Sequence, residues 1–111
     1  MTGSHKGLPP GSLELLVLRT LDRHQELHGF EIAERIALAS RDVLQVEEGS
    51  LYPALQRMLV KGWISGEWGR TSGNRRARYY RLTATGRKEL LREMAAYQRL
   101  ADAIRRVLQP S

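Results

Sequence analysis

The chain has 111 residues, no cysteine and a net charge of +6. That length makes one domain with a modest core, too small for a large pocketed enzyme, and the missing cysteine excludes a disulfide framework and thiolate chemistry. No stretch approaches the ~20 apolar residues of a membrane span, and the first ten residues lack an apolar run of signal-peptide length, so a cytoplasmic chain without a membrane partner is expected. The charge is unevenly placed: residues 1–67 carry a net −2, residues 68–111 a net +8. Such concentration points to a polyanionic partner.

In chain order, residues 1–10 are expected to form a disordered tail, Gly/Ser-rich at its start. Ser12 is placed to N-cap a first helix, LELLVLRTLDRH, whose many leucines make it central to the core. Gln25 to Gly29 reads as a turn. A second helix follows from Phe30 to Ser40, with Phe30, Ile32, Ala33, Ile36 and Ala37 inward. Arg41 to Glu47 is expected to pack as an extended connector through Val43, Leu44 and Val46. The third helix runs from about Glu48 to Lys61 on the apolar stripe Leu51, Leu55, Met58 and Leu59. Pro53 is tolerable there because it falls in the first turn, and Gly62 ends the helix.

Two short strands, Trp63 to Trp68 and Ala77 to Leu82, then flank a loop of about eight residues, Gly69 to Arg76. Thr83 caps a last helix over about Ala84 to Leu108, which Pro110 closes. On that helix Leu90, Met94, Tyr97, Ala101, Ile104 and Leu108 fall at heptad a/d spacing, and Leu91, Leu100 and Val107 widen the stripe. Such a face can pack on the chain's own core or on a second copy. At ~1.5 Å per residue the helix is about 37 Å long, more than a small three-helix core covers, which favours self-association. The fold class that results is mainly α with a small β-hairpin wing: a winged helix-turn-helix domain over residues 11–83 and a C-terminal dimerisation helix over residues 84–111.

The chemistry lies in two places. The outward face of the third helix offers Ser50, Tyr52, Pro53, Gln56, Arg57 and Lys61. Gln56 is of the type that bonds adenine bidentately, Arg57 guanine, while Ser50 and Tyr52 can reach phosphate or base. Tyr52 can equally lie half-buried against the hairpin. The hairpin carries Arg70, Asn74, Arg75, Arg76 and Arg78, a density of guanidinium without opposing acids that suits phosphate oxygens or a narrow minor groove. Arg81, Arg87 and Lys88 are placed to contact phosphate or to pair locally with Glu89 or Glu93. His24 and His28, four apart with Glu31 nearby, have a zinc-like spacing, but the intervening turn breaks the helix that zinc would need. Neither metal nor cofactor is expected, and with no Gly-x-Ser-x-Gly elbow and no phosphate-binding glycine loop, neither is catalysis. An acidic protein or RNA could also meet a basic hairpin; duplex DNA is the partner that best suits helix and hairpin together.

The segments LELLVLRTL, HGFEIAERI, EEGSLYPALQRMLVKGWI and RRARYYRLTATGRKEL, which cover residues 13 to about 90, resemble the PadR family of transcriptional regulators, in particular its small class with a single C-terminal helix. VLQVEEGSLYPAL together with WISGEWG is similar to an acidobacterial-type branch. The resemblance implies a homodimeric repressor on a near-palindromic operator. It assigns Ser50, Tyr52 and Pro53 to the start of a groove-entering helix, with Gln56 and Arg57 on the same face, and Arg75, Arg76 and Arg78 to the wing. It places dimerisation on the last helix, here Leu90, Leu91, Met94, Tyr97, Leu100, Ala101, Ile104 and Leu108. It also implies a small hydrophobic effector at the dimer interface, which some members stack on a tryptophan of the last helix. This chain departs there: Trp63 and Trp68 lie in the wing strands, and the last helix offers only Tyr97.

Overall fold

The structure is a computed structural model that describes Leu8 and residues 11–110; the tail expected over residues 1–10 otherwise lies outside the described residues. Among the described residues, four helices and three short strands follow in the order α1 (Ser12–Arg23), β1 (Leu27–His28), α2 (Gly29–Ala39), α3 (Glu48–Val60), β2 (Ile64–Arg70), β3 (Arg76–Leu82) and α4 (Ala84–Leu108). The strands form one antiparallel sheet in the order β1-β3-β2.

One core holds these elements. Leu13, Val17, Leu18 and Leu21 of α1 meet Ile32 and Ile36 of α2, Leu51, Ala54, Leu55 and Met58 of α3, Leu27, Ile64 and Tyr80 of the sheet, and Leu90 of α4. On α3 the buried residues recur every three or four positions, so one stripe is sealed and the rest of the helix stays in water. At its end Gly62 adopts φ 76°. The Trp63 amide donates to the Met58 carbonyl at 3.0 Å and the Gly62 amide to Leu59 at 3.0 Å. This is the closure a left-handed residue permits, and it turns the chain sharply into the wing.

Thr83 then ties the last helix to that turn. Its hydroxyl donates towards the carbonyls of Gly62 at 2.6 Å and Trp63 at 2.9 Å and accepts the Gly86 amide at 3.0 Å, capping α4 as expected. Gly86 is buried so closely on Trp63 that a Cβ there would overlap the Trp63 carbonyl oxygen. Further along α4, Glu93 lies half-buried beside Glu89 and Glu14. Burial and a hydrogen bond to Glu89 push its carboxyl up to about 7, whereas bonds from Arg92 and Glu93 hold Glu89 below its ordinary value.

The structure departs from the sequence reading at several points. Ser12 is the first residue of α1, not its cap; Gly11 holds that position at φ 86° without a side-chain bond. The expected turn at Gln25 to Gly29 contains β1, too short to leave a periodic signal and defined only by its pairing with Tyr79 and Tyr80 of β3. That pairing starts α2 at Gly29, with His28 and Glu31 closing a reciprocal cap. Phe30, expected inside, is 65% exposed, because Ile32 and Ile36 set the buried stripe.

The Arg41 to Glu47 connector is not extended throughout. Arg41 and Asp42 take φ of 54° and 65° and wrap the end of α2, the Asp42 amide donating to Ala37 at 2.7 Å. Leu44 and Val46 still pack on the core, but Val43 is exposed. In the wing, Gly69↔Ala77 and Arg70↔Arg76 continue the ladder, so the expected eight-residue loop shrinks to residues 71–75. Leu90, read as a dimerisation residue, is 1% exposed and belongs to the chain's own core, and Met94 packs beside it.

Candidate nucleic-acid interface

The register of the wing decides where its side chains face. Ile64↔Leu82, Gly66↔Tyr80, Trp68↔Arg78 and Arg70↔Arg76 are cross-strand partners on one face. Ile64 and Tyr80 are buried at the base of that face, and its outer half carries Trp68, Arg76 and Arg78 past the core beside α3. Arg70, singled out from the sequence with Arg76 and Arg78, lies instead with Glu26, Glu67 and Tyr79, outside the groove between wing and helix. A groove of about 470 Å³ lies between wing and helix, lined by Tyr52 and Gln56 of α3, Gly29 and Phe30 of α2, and Trp68, Arg75, Arg76 and Arg78 of the wing. Burial pushes the Tyr80 phenol at its floor above its ordinary value.

The α3 residues singled out from the sequence do not share one face. Tyr52 and Gln56 turn to the groove. The Tyr52 ring is 43% exposed and packs over Gly29, where a Cβ would come within 2.7 Å of its hydroxyl oxygen. The ring thus rests on the start of α2 while part of it stays open to the groove, so its packing and its availability to a partner coexist. Ser50 is exposed in the first turn, whereas Pro53, expected in that turn, is the sixth residue of α3 and lies exposed inside the helix, where it leaves the Gly49 carbonyl without an i+4 amide. Arg57 and Lys61 turn towards other elements. The Arg57 guanidinium donates to the Glu14 carboxylate of α1 at 2.8 Å, and the Lys61 ammonium lies 4.5 Å from the Trp63 ring centroid.

The wing loop is internally braced. The Thr71 amide donates to Arg75 at 2.8 Å, the Thr71 hydroxyl accepts the Arg75 amide at 3.1 Å, and Asn74 takes φ 63°. Arg70 donates to the Asn74 carbonyl at 3.2 Å, and Tyr79 on the opposite sheet face donates to the Arg70 carbonyl at 3.2 Å. Arg75 is exposed at the tip, while Arg76 and Arg78 lie over Trp68, 4.4 and 6.0 Å from the ring centroid. Arg81 and Arg87 do pair, but across the fold rather than with Glu89 or Glu93: Arg81 with Glu26 at 3.0 Å, Arg87 with Asp22 at 3.6 Å. Glu89 pairs with Arg92 instead.

Trp68 and Phe30 are groove residues that sequence reasoning did not select. Strand alternation from buried Ile64 through Gly66 to Trp68 carried the signal for the first. For Phe30 there was none, since an apolar residue at a helix start reads as core. The groove therefore combines a tyrosine and a glutamine on a helix with a braced, positively charged wing, side-chain types suited to base edges and to phosphate.

The fold has relatives among known proteins. A protein of Lysinibacillus sphaericus, itself uncharacterised, is 30% identical over 95 residues, covering 83% of this chain and 86% of that protein. The crystal structure of a PadR family transcription regulator from Clostridium difficile is similar at TM-score 0.75 and 27% identity, over 89% of this chain and 100% of that one. Bacillus subtilis PadR, solved in complex with operator DNA, shares the fold at TM-score 0.67 and 23% identity, over 78% of this chain and 48% of that one. Residues 17–92 match the Transcriptional regulator PadR-like family. With the helix, wing and groove in place, the chain belongs to the PadR-like family of DNA-binding transcriptional regulators, which are not enzymes.

Proposed function

We propose that the chain is a homodimeric repressor that binds a near-palindromic operator and occludes a promoter. The observation that carries this reading is the groove in which Tyr52 and Gln56 of α3 face the same way as the arginines of the wing. The complex of Bacillus subtilis PadR with operator DNA supports the choice of duplex DNA. Dimerisation is supported by the outer half of α4, where Tyr97, Leu100, Ile104, Val107 and Leu108 stand in water on one long helix. Two such protomers present their α3 helices to successive major grooves about 34–36 Å apart. Wing arginines supply affinity and position, Gln56 and Tyr52 selectivity. A small hydrophobic effector fits the apolar hollow along α4 between Tyr97 and Pro110, where a second copy would close it.

Footprinting on the DNA upstream of the protein's own gene tests the reading, with retardation titrations at several salt concentrations. Arg75→Ala with Arg76→Ala is expected to weaken all duplexes and flatten the salt dependence by about 0.9 for each phosphate no longer neutralised. Gln56→Ala is expected to relax preference at one or two base pairs. No preference for the upstream sequence over scrambled duplex would exclude a specific regulator, and identical losses from both variants on every duplex would refute the division of roles.

A further inference from the structure

Trp68 is 57% exposed on a wing that needs charge, not apolar surface, at its working end. Its ring is nevertheless occupied: Arg76 and Arg78 both place their guanidinium groups over it, at 4.4 and 6.0 Å from the centroid. The register explains how. Trp68 faces Arg78 directly across the ladder, and Arg76 lies diagonally on the same face. Arg78 is also pressed onto Gly66, where a Cβ would come within 2.6 Å of its Nε. That Nε is buried and has no acceptor, so Arg78 holds this position although one of its donors is unsatisfied. The two like charges are gathered on one strand, and the electron-rich indole face is the group that offsets their repulsion.

We infer that Trp68 is a positioning residue: its ring holds Arg76 and Arg78 as a pre-set pair that receives backbone phosphate of the bound DNA. The inference rests on the DNA-binding reading above. A guanidinium stacked flat on an aromatic ring keeps its edge N–H groups free for phosphate oxygens. An unsupported arginine loses rotamer freedom on meeting a phosphate, whereas a stacked one has lost part of it beforehand. Trp68 thus strengthens binding through the two arginines it holds, and it acts alike on every sequence because phosphates are the same everywhere.

The test compares Trp68→Phe, Trp68→Leu and wild type in full-length protein, titrated by fluorescence anisotropy against the footprinted duplex and a scrambled one across a range of salt. Trp68→Leu keeps apolar bulk but removes the ring face. It is expected to bind both duplexes on the order of ten-fold more weakly, with the salt slope unchanged, since the arginines still reach phosphate but from a mobile state. Trp68→Phe is expected to stay within about twofold of wild type. Arg76→Ala, as the reference, lowers the slope by about 0.9 per protomer. Wild-type affinity in Trp68→Leu, or a Phe variant as weak as the Leu variant, overturns the inference. A Trp68→Leu slope that falls further than that of Arg76→Ala means that the wing itself no longer reaches the DNA, and Trp68 is then structural. Failure of the wild type to bind either duplex would instead refute the DNA-binding reading.

Discussion

Replacing Glu93 by glutamine should stabilise the protein at alkaline pH and leave it nearly unchanged at pH 5. The carboxyl lies against Glu14 of α1 and Glu89 one turn back on α4, with Arg92 the nearest compensating charge. Its ordinary value of 4.5 is raised to about 7 by burial and by the bond to Glu89. A carboxyl whose folded value exceeds its unfolded one favours the fold below about pH 4, where it is protonated in both states, and loses that advantage as pH rises through 7. At ~1.4 kcal/mol per tenfold the full shift amounts to about 3 kcal/mol; the group is only partly buried, and solvent screening reduces this to about 1 kcal/mol. Glutamine mimics the protonated acid, keeps a donor for Glu89 and does not titrate. Urea unfolding at fixed protein concentration should therefore show Glu93→Gln about equal to wild type at pH 5 and about 1 kcal/mol more stable at pH 8. A difference that is the same at both pH values, or larger at pH 5, refutes the reasoning.

Two further outcomes follow from the anchoring of α4 and from its free end. Gly86→Ala drives a methyl into the Trp63 carbonyl and should remove about 2–4 kcal/mol, seen as a lower thermal midpoint; an unchanged midpoint would mean that the close approach is not confining. Leu100→Asp with Ile104→Asp touches no core residue. Sedimentation should find that variant monomeric and folded, with operator affinity falling alongside the dimer, and an intact dimer would place the interface elsewhere.

The architecture was legible where a physical signal repeats. The α3 stripe of Leu51, Leu55 and Met58, the cap at Thr83 and the left-handed exit at Gly62 each reflect a local rule, and each stands in the structure where it was read. What escaped is tertiary. Strand β1 exists only because β3 passes beside it, and Phe30 is outside only because Ile32 and Ile36 already fill the stripe. The site shows the same division. Arginine density marked the wing, but the commitment of Arg57 to Glu14, 43 residues away, has no trace in local pattern. Nor has the meeting of Trp68 with two arginines, which needed the register of the ladder before it could be seen.

The knot at Thr83 has a kinematic consequence. One hydroxyl joins the exit of α3, the entry of β2 and the first turn of α4, so a motion of α4 is coupled to helix and wing at this point. In the proposed dimer, a rocking of about 5° between two α4 helices would be carried undiminished along about 37 Å of helix. The α3 tips would then shift by about 3 Å, close to the rise of one base pair of DNA. On the proposed dimer reading, a small wedge at the far end of α4 would thus move the two α3 helices relative to each other without breaking the hydrogen bonds within the wing.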